Sequence, residues 1–144
     1  MEIAVGSNVG FWQVRQTDAH VADTIAPGVT LLAIADGFGA IGNGKPAAEV
    51  ALATLRDYLR RRRGLALGPR PSAKSVRALL LAALEVVNAR LYSLSGSNED
   101  FVGSGTSLTA VMIVNGAAFV GHAGDSRAYL MRMGGLELLT ADDA

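Results

Sequence analysis

Two aspartates stand where a carboxylate could do chemistry. Asp36 closes the apolar, branched run Val29 to Ala35 and is followed at once by Gly37. That pattern reads as a buried strand delivering an acid to a turn. An unsatisfied carboxylate there would be costly, so it pairs, accepts backbone amides of the glycine turn, or ligates a cation; the residues alone leave the three open. Asp125 repeats the arrangement, following Gly124 at the end of the stretch Ala117 to Ala123. Two acids at neighbouring strand ends could share a hard cation such as magnesium or manganese, which takes oxygen ligands and keeps several waters. Asp18, in an otherwise uncharged neighbourhood, is a third candidate. Gly37, Gly39, Gly42 and Gly44 permit close backbone approach to a ligand, a weakly specific signal, and the lysine and hydroxyl residue of a phosphate loop are missing.

The elements that must position these acids follow from the apolar periodicity. Pro46 suits a first helical turn, and Val50, Leu52, Leu55, Tyr58 and Leu59 recur at helical spacing, so a helix is expected to about Arg63 with Gly64 as its stop. The cluster Arg60 to Arg63 then complements the negative end of the helix dipole. A second helix is expected from a Ser72 cap to about Ser95, with Val76, Leu79, Leu80, Ala83, Leu84, Val87 and Leu91 facing inward. Thr106 to Val114, Asn115-Gly116 and Ala117 to His122 read as two strands joined by a tight turn, because Asn-Gly accepts positive φ angles. Arg127 to Arg132, Gly134-Gly135 and Leu136 to Thr140 repeat the pattern. Strands, two helices and then a strand meander imply an α+β fold with helices packed on a largely antiparallel sheet.

Composition narrows the function. The chain has 144 residues, half of them hydrophobic, enough for one domain with a real core. Basic and acidic residues both number 13, so no global field draws it to nucleic acid or anionic lipid. No cysteine is present, which leaves oxygen or histidine ligands for any metal. The start lacks a basic segment followed by an apolar run, and no run reaches the roughly eighteen consecutive apolar residues of a membrane span. The expectation is a soluble, cytoplasmic protein. His20 and His122 are expected to be structural or solvent-facing, and Trp12 to pack.

Three ordered blocks carry a family resemblance. Asp36 to Gly44 (DGFGAIGNG) resembles the aspartate-glycine loop of the PPM (type 2C) metal-dependent protein serine/threonine phosphatases. Gly103 to Leu108 (GSGTSL) is similar to their GMGTTL strand start. Gly121 to Leu130 (GHAGDSRAYL) resembles their VGDSRAYL signature, and Leu139 to Asp142 (LTAD) the LTxD that follows. The resemblance implies a β-sandwich flanked by helices in α/β/β/α layers, with a binuclear magnesium or manganese centre at the strand ends. It also implies hydrolysis of phosphoserine and phosphothreonine proteins by a metal-activated water, without a phosphoenzyme. Carried over by position, Asp36 would bridge both metals, the Gly37 carbonyl would bind one, Asp125 would serve an additional, weaker position, and Asp18 would match the last acid of the RxxNED element.

Departures from the family accompany these matches. Gln13 stands where the resemblance places a phosphate-binding arginine, Gln16 at its asparagine and Thr17 at its metal-linked glutamate. Arg15 is an alternative grip, but on a strand a shift of two residues moves the head group by about 6 to 7 Å. Family members also continue past LTxD with further strands, helices and two late aspartates. Residues 1–144 are therefore expected to be a single, incomplete domain, inactive alone and prone to self-association through its truncated sheet. The alternative is a pseudophosphatase acting as a binding or regulatory module.

Overall fold

The protein is represented by a computed structural model that describes residues 1–11, 15–39, 44–68 and 70–143. Strands β1 (Asp18–Ala26), β2 (Val29–Phe38), β3 (Gly105–Val114) and β4 (Ala117–Ala123) form one antiparallel sheet in that order. Helices α1 (Gly44–Ala66) and α2 (Ala73–Ser97) cover one face of it. Strands β5 (Tyr129–Arg132) and β6 (Gly135–Leu138) form a separate two-stranded sheet. The fold is α+β: one helix-backed antiparallel sheet and a separate two-stranded hairpin.

The period-two pattern of β2 decides which face is covered. Leu31, Ala33 and Ala35 point into the core with Leu108, Ala110 and Met112 of β3. Leu52, Leu55 and Leu59 of α1 and Val76, Leu79, Leu80, Ala83 and Val87 of α2 meet them. Gly121 of β4 is pressed against α2: a Cβ there would lie 2.9 Å from Leu84 and 3.0 Å from Leu80. The opposite face carries Thr30, Leu32, Ile34, Asp36 and Phe38, and Ile34 is 46% exposed on it. Phe38 lays its ring over Gly105, its partner in register.

Several local expectations hold. Asn115 and Gly116 turn the β3–β4 hairpin with φ of 50° and 85°. Ser72 caps α2, its side chain accepting from the Ser75 amide at 3.1 Å. By length and composition α2 could cross a bilayer, but Arg77, Glu85 and Arg90 interrupt it and its Val76 to Val87 stripe faces the core.

Other expectations need correction. α1 runs through Gly64 to Ala66, and buried Leu67 anchors its exit. The last four strands do not form one meander, because the chain leaves the first sheet at Gly124, with φ of 106°. β5 begins at Tyr129, not Arg127, since Arg127 and Ala128 are tied instead to Asp142 and Thr140. β1 is an addition, with Val21 and Ile25 turned toward the core and Asp23 paired at 2.6 Å with Arg60 of α1.

Candidate metal centre

Asp36 emerges on the uncovered face of the sheet because Ala35 and Gly37 take the buried positions on either side. The antiparallel register sets Asp18 directly opposite it on β1 and Ser107 opposite on β3. Directly opposed side chains approach closely and like charges there repel. The Asp36 carboxyl accordingly holds its proton more tightly than an ordinary aspartate. Partial burial is the largest cause, followed by a hydrogen bond with Asp18, the Asp18 charge and the Asp125 charge. The Asp36 carbonyl accepts from the Thr106 hydroxyl at 2.9 Å, fixing the end of β2 to β3.

Asp125 arrives from the loop between β4 and β5, which lies against β3. A Cβ on Gly124 would come within 2.6 Å of the Ser107 Cβ, so only glycine fits that approach. The Ser107 and Ser126 hydroxyls are 2.5 Å apart, and Thr109 donates to the Ser126 carbonyl at 3.1 Å. Thr109 also meets His122 Nδ1 at 2.8 Å, while His122 Nε2 donates to the Gly124 carbonyl at 3.0 Å.

The chain end clasps the other side of this loop. The Asp143 carboxylate accepts the Gly124 amide at 3.0 Å, and the Asp143 amide donates back to the Gly124 carbonyl at 2.8 Å. Arg127 donates through Nε and a terminal nitrogen to both oxygens of Asp142, at 2.9 and 2.5 Å. This hydrogen-bonded contact holds the Asp142 carboxyl below the usual carboxylate range.

The acids wall a chain of open cavities. Asp36 lines one of about 320 Å³ with Asp18, His20 and Ser126, and another of about 370 Å³ with Ser107, Asp125 and Asp143. Asp18 also lines a third, of about 440 Å³, with Glu49 and Arg56. Gly37 lies beside Asp36 in β2. Arg15 is exposed and outside the walls of these cavities, and Gln13 lies outside the described residues. Gln16 binds the N-terminal segment to the start of β1, donating to Ser7 Oγ at 2.5 Å and accepting from the Asp18 amide at 3.3 Å. Ser107, Thr109, Ser126 and Asp143 were not singled out as site residues in the sequence, although Ser107 and Ser126 lie inside the stretches that carry the resemblance. The available signal was the pair of hydroxyls, Ser107 and Thr109, at period two inside an apolar strand.

The donors suit a hard cation, being carboxylate and carbonyl oxygens, and the raised proton affinity of Asp36 marks a place where positive charge would relieve repulsion. Among the described residues no three histidine, aspartate or glutamate side chains form a group that could hold an ion by themselves. The donor set is of the kind that a divalent ion takes.

An α+β domain with acids gathered at the ends of a helix-backed antiparallel sheet is the class that fold and site define. The protein phosphatase 2C family model matches residues 13–144, and the chain belongs to that family. It is 32% identical over 125 residues to the serine/threonine protein phosphatase PstP of Mycobacterium tuberculosis, covering 87% of this chain and 23% of PstP. It is 30% identical over 144 residues to the protein phosphatase PhpP of Streptococcus pneumoniae, covering 99% of this chain and 55% of PhpP. A crystal structure of the PstP catalytic domain in complex with two manganese ions superposes with a TM-score of 0.73 at 30% identity, over 93% of this chain and 52% of that one. The Streptococcus agalactiae serine/threonine phosphatase superposes with a TM-score of 0.77 at 29% identity, over 94% and 53%. The chain thus spans about half, or less, of the relatives it matches.

Proposed function

We propose that this chain forms the N-terminal share of a metal-dependent protein serine/threonine phosphatase acting on phosphoserine and phosphothreonine proteins. The observation that carries the reading is the opposition of Asp18 and Asp36 across β1 and β2, with Asp125 close enough to raise the proton affinity of Asp36. Asp36, Asp18, Asp125 and the Gly37 carbonyl would hold magnesium or manganese. Such an ion, when bound, lowers the pKa of coordinated water and offsets phosphate charge. The chain's own residues supply the frame: β1 and β2 hold two carboxylates in register, and β3 fixes the Asp36 backbone through Thr106. The partly furnished donor set makes the chain alone inactive, whereas hydrolysis of a manganese-supplemented phosphothreonine peptide is expected once it is fused to the C-terminal half of PhpP. Asp36→Asn in that fusion should lower turnover at least about a hundredfold, since it removes a ligand acting in the transition state.

A second reading rests on Gln13 and Thr17, which lack the charge that the family resemblance expects at those positions. In that reading the domain binds phosphoproteins without turning them over. A folded fusion that binds manganese and phosphopeptide but hydrolyses nothing would select it.

A further inference from the structure

Three buried polar side chains occur among the described residues, Ser107, Thr109 and Thr140, and every one touches the loop that carries Asp125. Buried hydroxyls are tolerated where their hydrogen bonds are made. Here they converge on residues 124–128 from opposite sides, two from β3 and one from the chain end. His122 completes the set from β4. Its register partner is Thr109, so the ring stands across the strand pair with one nitrogen on the Thr109 hydroxyl and the other on the Gly124 carbonyl. The Gly124 carbonyl can only accept, so Nε2 carries a proton in either ring form. The Ser126 carbonyl can likewise only accept, so Thr109 holds it by donating its single proton, and the Thr109–Nδ1 contact is a hydrogen bond at the same time only in the ring form in which Nδ1 also carries a proton. Asp125 is therefore bracketed: the carbonyl before it is held by His122 and the carbonyl after it by Thr109.

We infer that His122 and Thr109 are positioning residues that orient the Asp125 carboxylate toward Asp36, a role that rests on the metal-centre reading above. Neither side chain needs to touch a ligand. They act by fixing the Gly124–Asp125 peptide unit and the Ser126–Arg127 unit one residue further on, while Gly124 supplies the close approach of the loop to Ser107.

The test uses the 144-residue chain and the variants Thr109→Val, Thr109→Ser and His122→Ala, followed by amide exchange and manganese-induced NMR broadening. The hydrogen-bonded amides of Gly124 and Ala128 should exchange about tenfold faster in Thr109→Val and His122→Ala, the equivalent of one lost brace, while those of Leu31 and Met112 in the core keep their rates. Thr109→Ser should restore the parent rates. With manganese, the concentration needed to broaden the Asp125 amide should rise about tenfold or more in the two disabling variants, as for lost outer-sphere partners elsewhere. Unchanged exchange at Gly124 and Ala128 in both variants would overturn the inference. Equal acceleration of core amides would also overturn it, since the residues would then be holding the fold rather than the loop. If Thr109→Val does not fold, His122→Ala decides. If manganese broadens neither Asp36 nor Asp125 in the parent chain, the metal reading fails on its own, and the exchange rates still decide the brace.

Discussion

The helix-backed sheet and the β5–β6 hairpin use the same residue types to opposite effect. Leu31, Leu55, Leu59 and Met112 are fully buried between sheet and helices. Every residue of β5 and β6 is exposed, including Leu130, Met131, Leu136 and Leu138. The N-terminal segment resembles the hairpin, with Met1, Ile3 and Val5 exposed at alternate positions. Alternation marks a face made to be covered; burial also needs a partner layer, and a hairpin alone rarely has one. Asp18, Asp36 and the Asp125 loop sit on the boundary, held by the covered layer and opening toward the uncovered one. The frame of the candidate site is therefore packed, whereas its outer wall is exposed.

The sharpest way to break this contrast is to cut equally large side chains in both regions. Leu55→Ala should cost about 2 to 5 kcal/mol in urea unfolding, the range for a buried leucine whose cavity cannot collapse. Leu136→Ala, at a position 65% exposed, should fall within about 0.5 kcal/mol of the parent. Comparable losses at the two sites would mean that the hairpin is as well packed as the core in solution, and the contrast would fail.

Legibility in the sequence followed the same division. Features set by neighbouring residues were readable: the Asn115-Gly116 turn, the Ser72 cap and the inward stripe of α2 each depend on a few adjacent positions. β1 was not, because five of the nine residues from Asp18 to Ala26 are alanine or aspartate, and only Val21 and Ile25 hint at an apolar face; its strand character comes from pairing with β2. The opposition of Asp18 and Asp36 depends on that register, so the sequence pointed to Asp36 and Asp125 as the converging pair and left Asp18 as a third candidate. Apart from the His122 contact with the Gly124 carbonyl, the braces on the Asp125 loop join residues 12 to 19 positions apart and were equally hidden.

Metal should sharpen the boundary. A partly furnished oxygen site binds weakly, so manganese at about ten- to a hundredfold over its dissociation constant should stabilise the chain by about 1 to 3 kcal/mol. Thermal melts at matched ionic strength should show the shift in the parent and its loss in Asp36→Asn. Equal shifts in both proteins would make the binding nonspecific and Asp36 a turn residue.

A smaller effect is expected on association. The uncovered face around Ile34 and the hairpin each expose apolar side chains of the kind that find partners. The β4 edge has no neighbour within the described sheet. The chain should sediment as a self-associated species, and the double variant Ile34→Lys, Leu136→Lys should weaken that association at least about tenfold, or about 1.4 kcal/mol. A parent chain that stays monomeric over a broad concentration range would show that the uncovered layer does not need covering.

The smallest effect is the most specific to the site. In the unfolded chain Asp36 titrates near 3.8, and in the fold its proton affinity is raised, so between the two values the folded state binds more protons than the unfolded one. Stability then falls as pH rises through that interval, because deprotonation is harder in the fold, and it levels off above the folded value. Asp36→Asn removes the titration, so without metal the variant should gain on the parent as pH rises from about 3.8 and hold a constant advantage near neutrality. The exposure of Asp36 keeps that advantage small. Asp18→Asn should flatten the same pH dependence more than Asp125→Asn, because Asp18 contributes both a hydrogen bond and a charge while Asp125 contributes the weakest of the causes. Manganese should reverse the order, favouring the parent, since a cation stabilises two opposed carboxylates and does much less for an amide beside one. Melts of the four proteins across this pH range, with and without manganese, measure all of these differences. A parent-to-Asp36→Asn difference that stays flat with pH would mean that the opposition of Asp18 and Asp36 carries no electrostatic strain, and the site would lose its main reason to recruit a cation.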